Sequence, residues 1–140
     1  MAKRVLIVDD DPDIRLFSST VLEENGYTPI EATNGEEGMK IIKKEMPDLL
    51  ILDMLMPRQS GIRLYRQMKT DNSLKHIPVI VLSGIAEKSF QRSQKDLTEF
   101  GDAPVPEPEA YLEKPPEVEA LLHLVRRLVK TEDFSGAKKG

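Results

Sequence analysis

Short apolar runs alternate along this chain with longer segments in which apolar residues recur every three or four positions. Val5 to Val8 (VLIV), Leu49 to Leu52 (LLIL) and Pro78 to Leu82 (PVIVL) are continuous, whereas Thr28 to Thr33 (TPIEAT) is interrupted by polar residues. Continuous runs of this length predict strands buried on both faces, as in a parallel sheet, and the interrupted one predicts an edge strand. Between the first two runs, Asp11 is placed to cap a helix with Pro12 in its first turn. Ile14, Phe17 and Val21 then recur on one side until Gly26 ends the segment.

Asn34 followed by Glu37 has the spacing of a capping box for a second helix, with Met39, Ile42 and Met46 on one side and Pro47 as its stop. A third helix carries Leu64, Tyr65 and Met68. The clearest helical period comes last, where Val118, Leu121, Leu122, Val125, Leu128 and Val129 form one apolar stripe. The short YLE from Tyr111 to Glu113 precedes that helix and completes the alternation, giving five strands and five helices. The expectation is an α/β fold with a parallel sheet. GDAPVPEPEA, Gly101 to Ala110, spaces its prolines too closely for a regular helix and reads as a loop. TEDFSGAKKG reads as a frayed tail, so residues 1–130 are expected to form one domain and 131–140 a flexible end.

Composition narrows the chemistry. With 20 Lys plus Arg against 24 Asp plus Glu, the net charge of −4 gives no general electrostatic attraction to nucleic acid or to an anionic membrane. The chain has no cysteine, so a metal site must use oxygen or imidazole ligands. No run has a signal-peptide core or approaches the roughly 20 apolar residues of a membrane span, and the expected location is the cytoplasm.

Open α/β sheets bind ligands beyond the carboxyl ends of their strands. The first run ends in Asp9 and Asp10, the third in Asp53, the fourth in Ser83 and the fifth in Lys114. Carboxylates side by side repel and resist burial unless a cation meets them. Asp9 and Asp10 therefore read as a cation holder, and magnesium suits hard oxygen ligands combined with phosphate oxygens. Lys114 and the metal would flank a phosphoryl group, Ser83 would donate a hydrogen bond to it, and Asp53 would be the nucleophile that becomes an aspartyl phosphate. Asp11 serves the helix.

In order along the chain, VLIVDDDPDIR, DLLILDMLMPRQSG, PVIVLSG and YLEKP resemble the motifs of response regulator receiver domains of two-component signalling, of the chemotaxis-regulator-like kind. The resemblance extends to about Lys130. It implies a flavodoxin-like, three-layer α/β/α fold with strand order 2-1-3-4-5, and a phosphoryl group taken from a sensor histidine kinase or a histidine phosphotransfer protein. On it, Asp53 is the phosphorylated residue. Asp10, Asp53 and the backbone carbonyl of Leu55 touch Mg2+, with Asp9 acting mostly through water. Ser83 and Tyr111 are the switch pair, Lys114 is the phosphate contact, and Lys114–Pro115 is a cis peptide of the kind proline tolerates.

Three departures qualify the resemblance. Ser83 to Lys114 spans 31 positions (114 − 83), more than such domains usually show, and the surplus falls in the proline-rich stretch. That insertion either builds a partner surface or lies in solvent. Pro116 stands where an aromatic residue is common. Leu55 and Ile85, which flank the path of an attacking water in such domains, are both apolar, which predicts slow self-dephosphorylation. Leu55 also counts against an aspartate-nucleophile phosphatase, which commonly has a second aspartate at that position. A receiver-like scaffold that no longer accepts phosphate stays as the rival. His76 and His123 read as surface residues, and the methionines as core fillers at helical spacing.

Overall fold

The central strands are apolar except for Arg4 and Ser83 at their ends, because both of their faces are covered. The computed structural model describes residues 2–84 and 106–129. It contains β1 (Arg4–Val8), α1 (Pro12–Glu24), β2 (Thr28–Ala32), α2 (Gly35–Glu45), β3 (Leu49–Leu52), a 3-10 turn (Pro57–Gln59), α3 (Ser60–Lys69), β4 (Val79–Ser83), β5 (Ala110–Glu113) and a C-terminal helix (Val118–Leu128). The five strands pair in parallel in the order 2-1-3-4-5, as the resemblance implied.

The pleat divides each strand between two cores. Leu6, Val8, Leu50, Leu52, Val79 and Val81 pack with α2 and α3 side chains such as Ile42, Leu64, Tyr65 and Met68. Val5, Ile7, Leu49, Ile51, Ile80 and Leu82 pack on the other face with Val21 and Leu22 of α1 and with Leu121, Leu122 and Val125 of the C-terminal helix. The result is a three-layer α/β/α arrangement. β2, the strand with polar interruptions, lies at one edge.

Helix starts follow the expected chemistry with one difference. Asp11 caps α1, its side chain accepting from the Asp13 N–H at 2.9 Å. Asn34 caps α2 through the Glu37 N–H, but the Glu37 carboxylate reaches past Asn34 to the backbone N–H and hydroxyl of Thr33, at 2.6 and 3.0 Å. At the far end of α2, Met46 takes a left-handed conformation (φ 48°) as the C-cap. That swings its side chain out of the packed row, and Met46 is exposed rather than buried beside Met39 and Ile42.

Other apolar expectations are also adjusted. Met54 and Met56 are buried, but in the loop after β3 rather than on a helix. Val118 is exposed at the first turn of the C-terminal helix, and Val129 is its C-cap. Pro116, just before that helix, is buried, while His76 and His123 are exposed. The expected fourth helix, Ile85, the first part of the proline-rich stretch and the tail from Lys130 lie outside the described residues. Among the described residues no helix is long and apolar enough to cross a membrane.

At the end of the sheet where the strands begin, a lysine is buried. The Lys69 side chain, only 2% exposed, closes α3 and donates to the carbonyls of Ile77 (3.0 Å) and Lys75 (3.2 Å). It also lies 3.4 Å from the Glu109 carboxylate, which accepts the Val79 N–H at 2.7 Å. One helical turn earlier, the Tyr65 hydroxyl donates to the carbonyl of Pro106, and burial pushes its pKa well up.

Candidate functional site

The opposite end of the sheet gathers the strand-terminal polar residues. β1 runs out into Asp9, whose N–H is held by the Ala32 carbonyl at 3.1 Å, and β3 into Asp53, whose N–H is held by the Val8 carbonyl at 2.9 Å. These ladder bonds place the two carboxyl groups side by side, and Asp10 follows on the solvent side. Asp9, Asp10 and Asp53 each offer a carboxylate oxygen within 4.8 Å of the others. Asp9 and Asp53 are buried and Asp10 is exposed.

Lys114 enters from β5. Its N–H bonds the Ser83 carbonyl at 2.9 Å, which carries the chain past the end of β4. Its ammonium lies 2.9 Å from Asp9 and 3.2 Å from Asp53. The peptide to Pro115 is cis. The remaining carboxylate oxygens meet backbone donors, Asp9 from Asp11 and Asp53 from Leu55, each at 2.9 Å.

Protonation tendencies follow from this geometry. Burial raises the pKa of Asp9, against the hydrogen bonds from Lys114 and the Asp11 N–H, with the charge of Asp53 adding to the rise. Burial alone would lower Lys114, but its hydrogen bond to Asp9 and the charges of Asp53 and Asp9 outweigh that and raise it. Both groups tend to hold protons, Asp9 because it is buried beside Asp53 and Lys114 because Asp9 and Asp53 face it. The pocket is short of positive charge, and its all-oxygen donor set suits a hard metal cation.

Close packing holds the acid loop in place. A Cβ on Gly61 at the start of α3 would fall 2.2 Å from the Asp53 carbonyl oxygen, so only glycine lets α3 begin against the end of β3. Leu55 is 48% exposed at the pocket mouth. Ser83 is buried at the end of β4, and Tyr111 is half-buried, pairing with Val81 and packing against the core on the α3 side. The structure therefore gathers Asp9, Asp10, Asp53 and Lys114 directly and sets Ser83 and Tyr111 on the adjoining strand ends.

One residue of this rim carries no sequence signal. Arg15 of α1 donates to the Asp9 carbonyl at 2.7 Å and contacts Glu31 at 3.2 Å, bracing the turn that holds the acid pair. Its spacing marks it only as an ordinary helix residue.

A doubly wound parallel sheet with an acid triad and a lysine beyond its strand ends defines an acidic, cation-accepting site at the switch point of an α/β domain. The model of the response regulator receiver domain matches residues 5–126, and the chain belongs to that family. The polar-differentiation response regulator DivK of Brucella anthropi is 31% identical over 127 residues, covering 90% of this chain and 95% of DivK. The phosphate regulon transcriptional regulatory protein PhoB of Escherichia coli is 35% identical over 88 residues, which cover 63% of this chain and 38% of PhoB. This chain thus aligns with well under half of that longer regulator. Among solved structures, the signal receiver domain of a histidine kinase from Syntrophus aciditrophicus superposes with a TM-score of 0.76 at 31% identity, covering 99% of this chain and 95% of that one.

The cluster of Asp9, Asp10 and Asp53 beside Lys114 matches the phosphoacceptor site of receiver domains, and the chain is a phosphoacceptor module of two-component signalling. Such domains catalyse only their own phosphorylation and dephosphorylation. Membership also implies partnership with a histidine kinase or a histidine phosphotransfer protein.

Proposed function

We propose that Asp53 is the phosphoryl acceptor and that Lys114, Asp9 and Asp10 arrange the charge around it. One observation carries this reading: a buried carboxylate at the end of β3, with one oxygen held by the Leu55 N–H, has its other oxygen 3.2 Å from the Lys114 ammonium. In the transfer, an Asp53 oxygen bonds to phosphorus as the P–N bond of a partner's phosphohistidine breaks, and the imidazole leaves with the electron pair and takes up a proton. Lys114 faces the phosphoryl oxygens, and Ser83 donates to them.

The donor set fits magnesium. Asp10, Asp53 and the Leu55 carbonyl would hold the ion, with Asp9 as an outer neighbour. When bound, it neutralises charge on the phosphoryl oxygens.

The output reading rests on Ser83 and Tyr111. A phosphoryl group that draws Ser83 toward Asp53 favours the arrangement with Tyr111 turned inward. Phosphorylation then acts as a population shift reported on the surface of β5 and the C-terminal helix. Leu55 offers an attacking water no hydrogen bond, which supports slow self-dephosphorylation. We take residues 1–130 as the receiver unit.

Intact mass after incubation with acetyl phosphate and Mg2+ tests the acceptor. The parent is expected to gain one phosphoryl group and Asp53→Asn none. No gain in a folded parent that binds Mg2+ would instead favour a phosphate-independent binding module, and equal gain in both would move the acceptor away from Asp53.

A further inference from the structure

β5 is a four-residue edge strand with a single neighbour, yet it must deliver Lys114 to a pocket defined by contacts of 2.9 and 3.2 Å. Side-chain alternation sets its register only partly. A slip of one residue would exchange Tyr111, packed on the α3 side, with Leu112, packed on the α1 side, and is penalised. A slip of two residues preserves the alternation and moves Lys114 by roughly 7 Å along the strand. Either slip would set Glu109 or Glu113 where the half-buried Tyr111 packs, and a polar contact adds to that selection.

The selecting contact lies at the other end of the strand. Val79 opens β4 before β5 has begun, so its buried N–H has no ladder partner on that side, and the Glu109 carboxylate accepts it at 2.7 Å. The Glu109 N–H returns to the Val79 carbonyl at 3.1 Å, closing a two-bond clamp between the two residues. Lys69, buried at the end of α3, holds the same carboxylate at 3.4 Å and is itself fixed by the Ile77 and Lys75 carbonyls. Of the two slips of two residues, one brings Tyr111 to this position and loses the clamp, and the other brings Glu107 there but sets Glu109 where Tyr111 packs, so the clamp and the Tyr111 contact together admit one register. From it the ladder runs Ile80 to Ala110, Val81 to Tyr111, Leu82 to Leu112 and Ser83 to Glu113, and the next residue is Lys114.

We propose that Glu109 and Lys69 are positioning residues for the phosphoacceptor site, acting from the opposite end of the sheet by setting the β4/β5 register that places Lys114 against Asp9 and Asp53. This rests on the reading of Lys114 as the phosphate contact. A merely structural pair would lower stability without a selective effect on phosphorylation.

The test is a double-mutant cycle read as the rate of acetyl phosphate modification, with Mg2+ affinity measured in parallel, on the parent, Glu109→Ala, Lys114→Ala and the double variant. Glu109→Ala is expected to react about 10-fold more slowly at unchanged Mg2+ affinity, because displaced catalytic groups lose rate steeply. The double variant is expected to be no slower than Lys114→Ala. Glu109→Gln, which still accepts the Val79 N–H, is expected to recover most of the parent rate. Should Glu109→Ala not fold, Lys69→Gln replaces it, with the same pattern at smaller amplitude.

A Glu109→Ala rate equal to the parent, or a double variant slowed by the product of the two single effects, overturns the proposal. If Lys114→Ala itself reacts at the parent rate, the reading of Lys114 fails separately. The register is then decided by the cross-strand amide contacts of Lys114 in NMR spectra. Their loss in Glu109→Ala supports the clamp, and their retention refutes it.

Discussion

Two lysines are drawn into this domain, one at each end of the sheet, and their surroundings differ in kind. Lys69 donates to two neutral carbonyls and one carboxylate, a set that matches the directed donors of an ammonium. Lys114 faces Asp9 and Asp53 with Asp10 beside them, so its single charge is outnumbered. The first arrangement is electrostatically closed and has nothing further to accept. The second is open toward a cation and a phosphoryl group. Both lysines are drawn in from solvent, and the balance of their partners separates a positioning group from a reactive one.

The contrast breaks most visibly at the closed end. Lys69→Met leaves the Ile77 and Lys75 carbonyls without their donor and Glu109 without its cation, and is expected to cost about 3 kcal/mol in denaturant unfolding. A loss below about 1 kcal/mol would mean that water replaces the ammonium without penalty.

At the open end the missing charge can be supplied. Mg2+ at 100 times its dissociation constant is expected to stabilise the parent by about 2.7 kcal/mol. Lys69→Met should gain the same increment and Asp10→Ala almost none, read as shifts in the unfolding midpoint with and without the metal. An increment that vanished in Lys69→Met would show that metal binding depends on the closed end.

The smallest effect calibrates both ends against an exposed acid. Hydrogen bonds from the Thr33 N–H and hydroxyl hold Glu37 below its ordinary value of 4.5. Its contribution is therefore complete above that value and is lost as the pH falls through the lowered folded pKa. Glu37→Gln is expected to cost at most about 1 kcal/mol at neutral pH, with the gap to the parent closing as the pH falls below the ordinary value and through the lowered folded one. A gap constant with pH would assign the effect to helix propensity instead.

The doubly wound fold was legible because its strands obey two simple rules: continuous apolar runs where both faces are covered, and a polar-interrupted run at the edge. The acid pocket was legible for a related reason, since a residue just past a buried run must lie at the rim of the sheet. Met46 escaped that logic because its helical spacing fits the packed row while its left-handed backbone turns it out.

Lys69 and Glu109 escaped because their partnership spans 40 positions and Glu109 sits among prolines that read as a loop. A clue was present, however. Tyr65 and Lys69 are four residues apart, which puts the lysine on the buried stripe with Leu64 and Met68, where an unpartnered charge is not tolerated.

Pro29, the second residue of β2, has a further consequence. The Thr28 N–H points inward to the Lys3 carbonyl, so the pleat turns the nitrogen of Pro29 toward the open edge. That nitrogen carries no hydrogen. A strand from a neighbouring molecule approaching β2 would meet a missing donor at Pro29. This edge of the sheet is thereby guarded against the strand-to-strand aggregation that an uninterrupted apolar edge would invite.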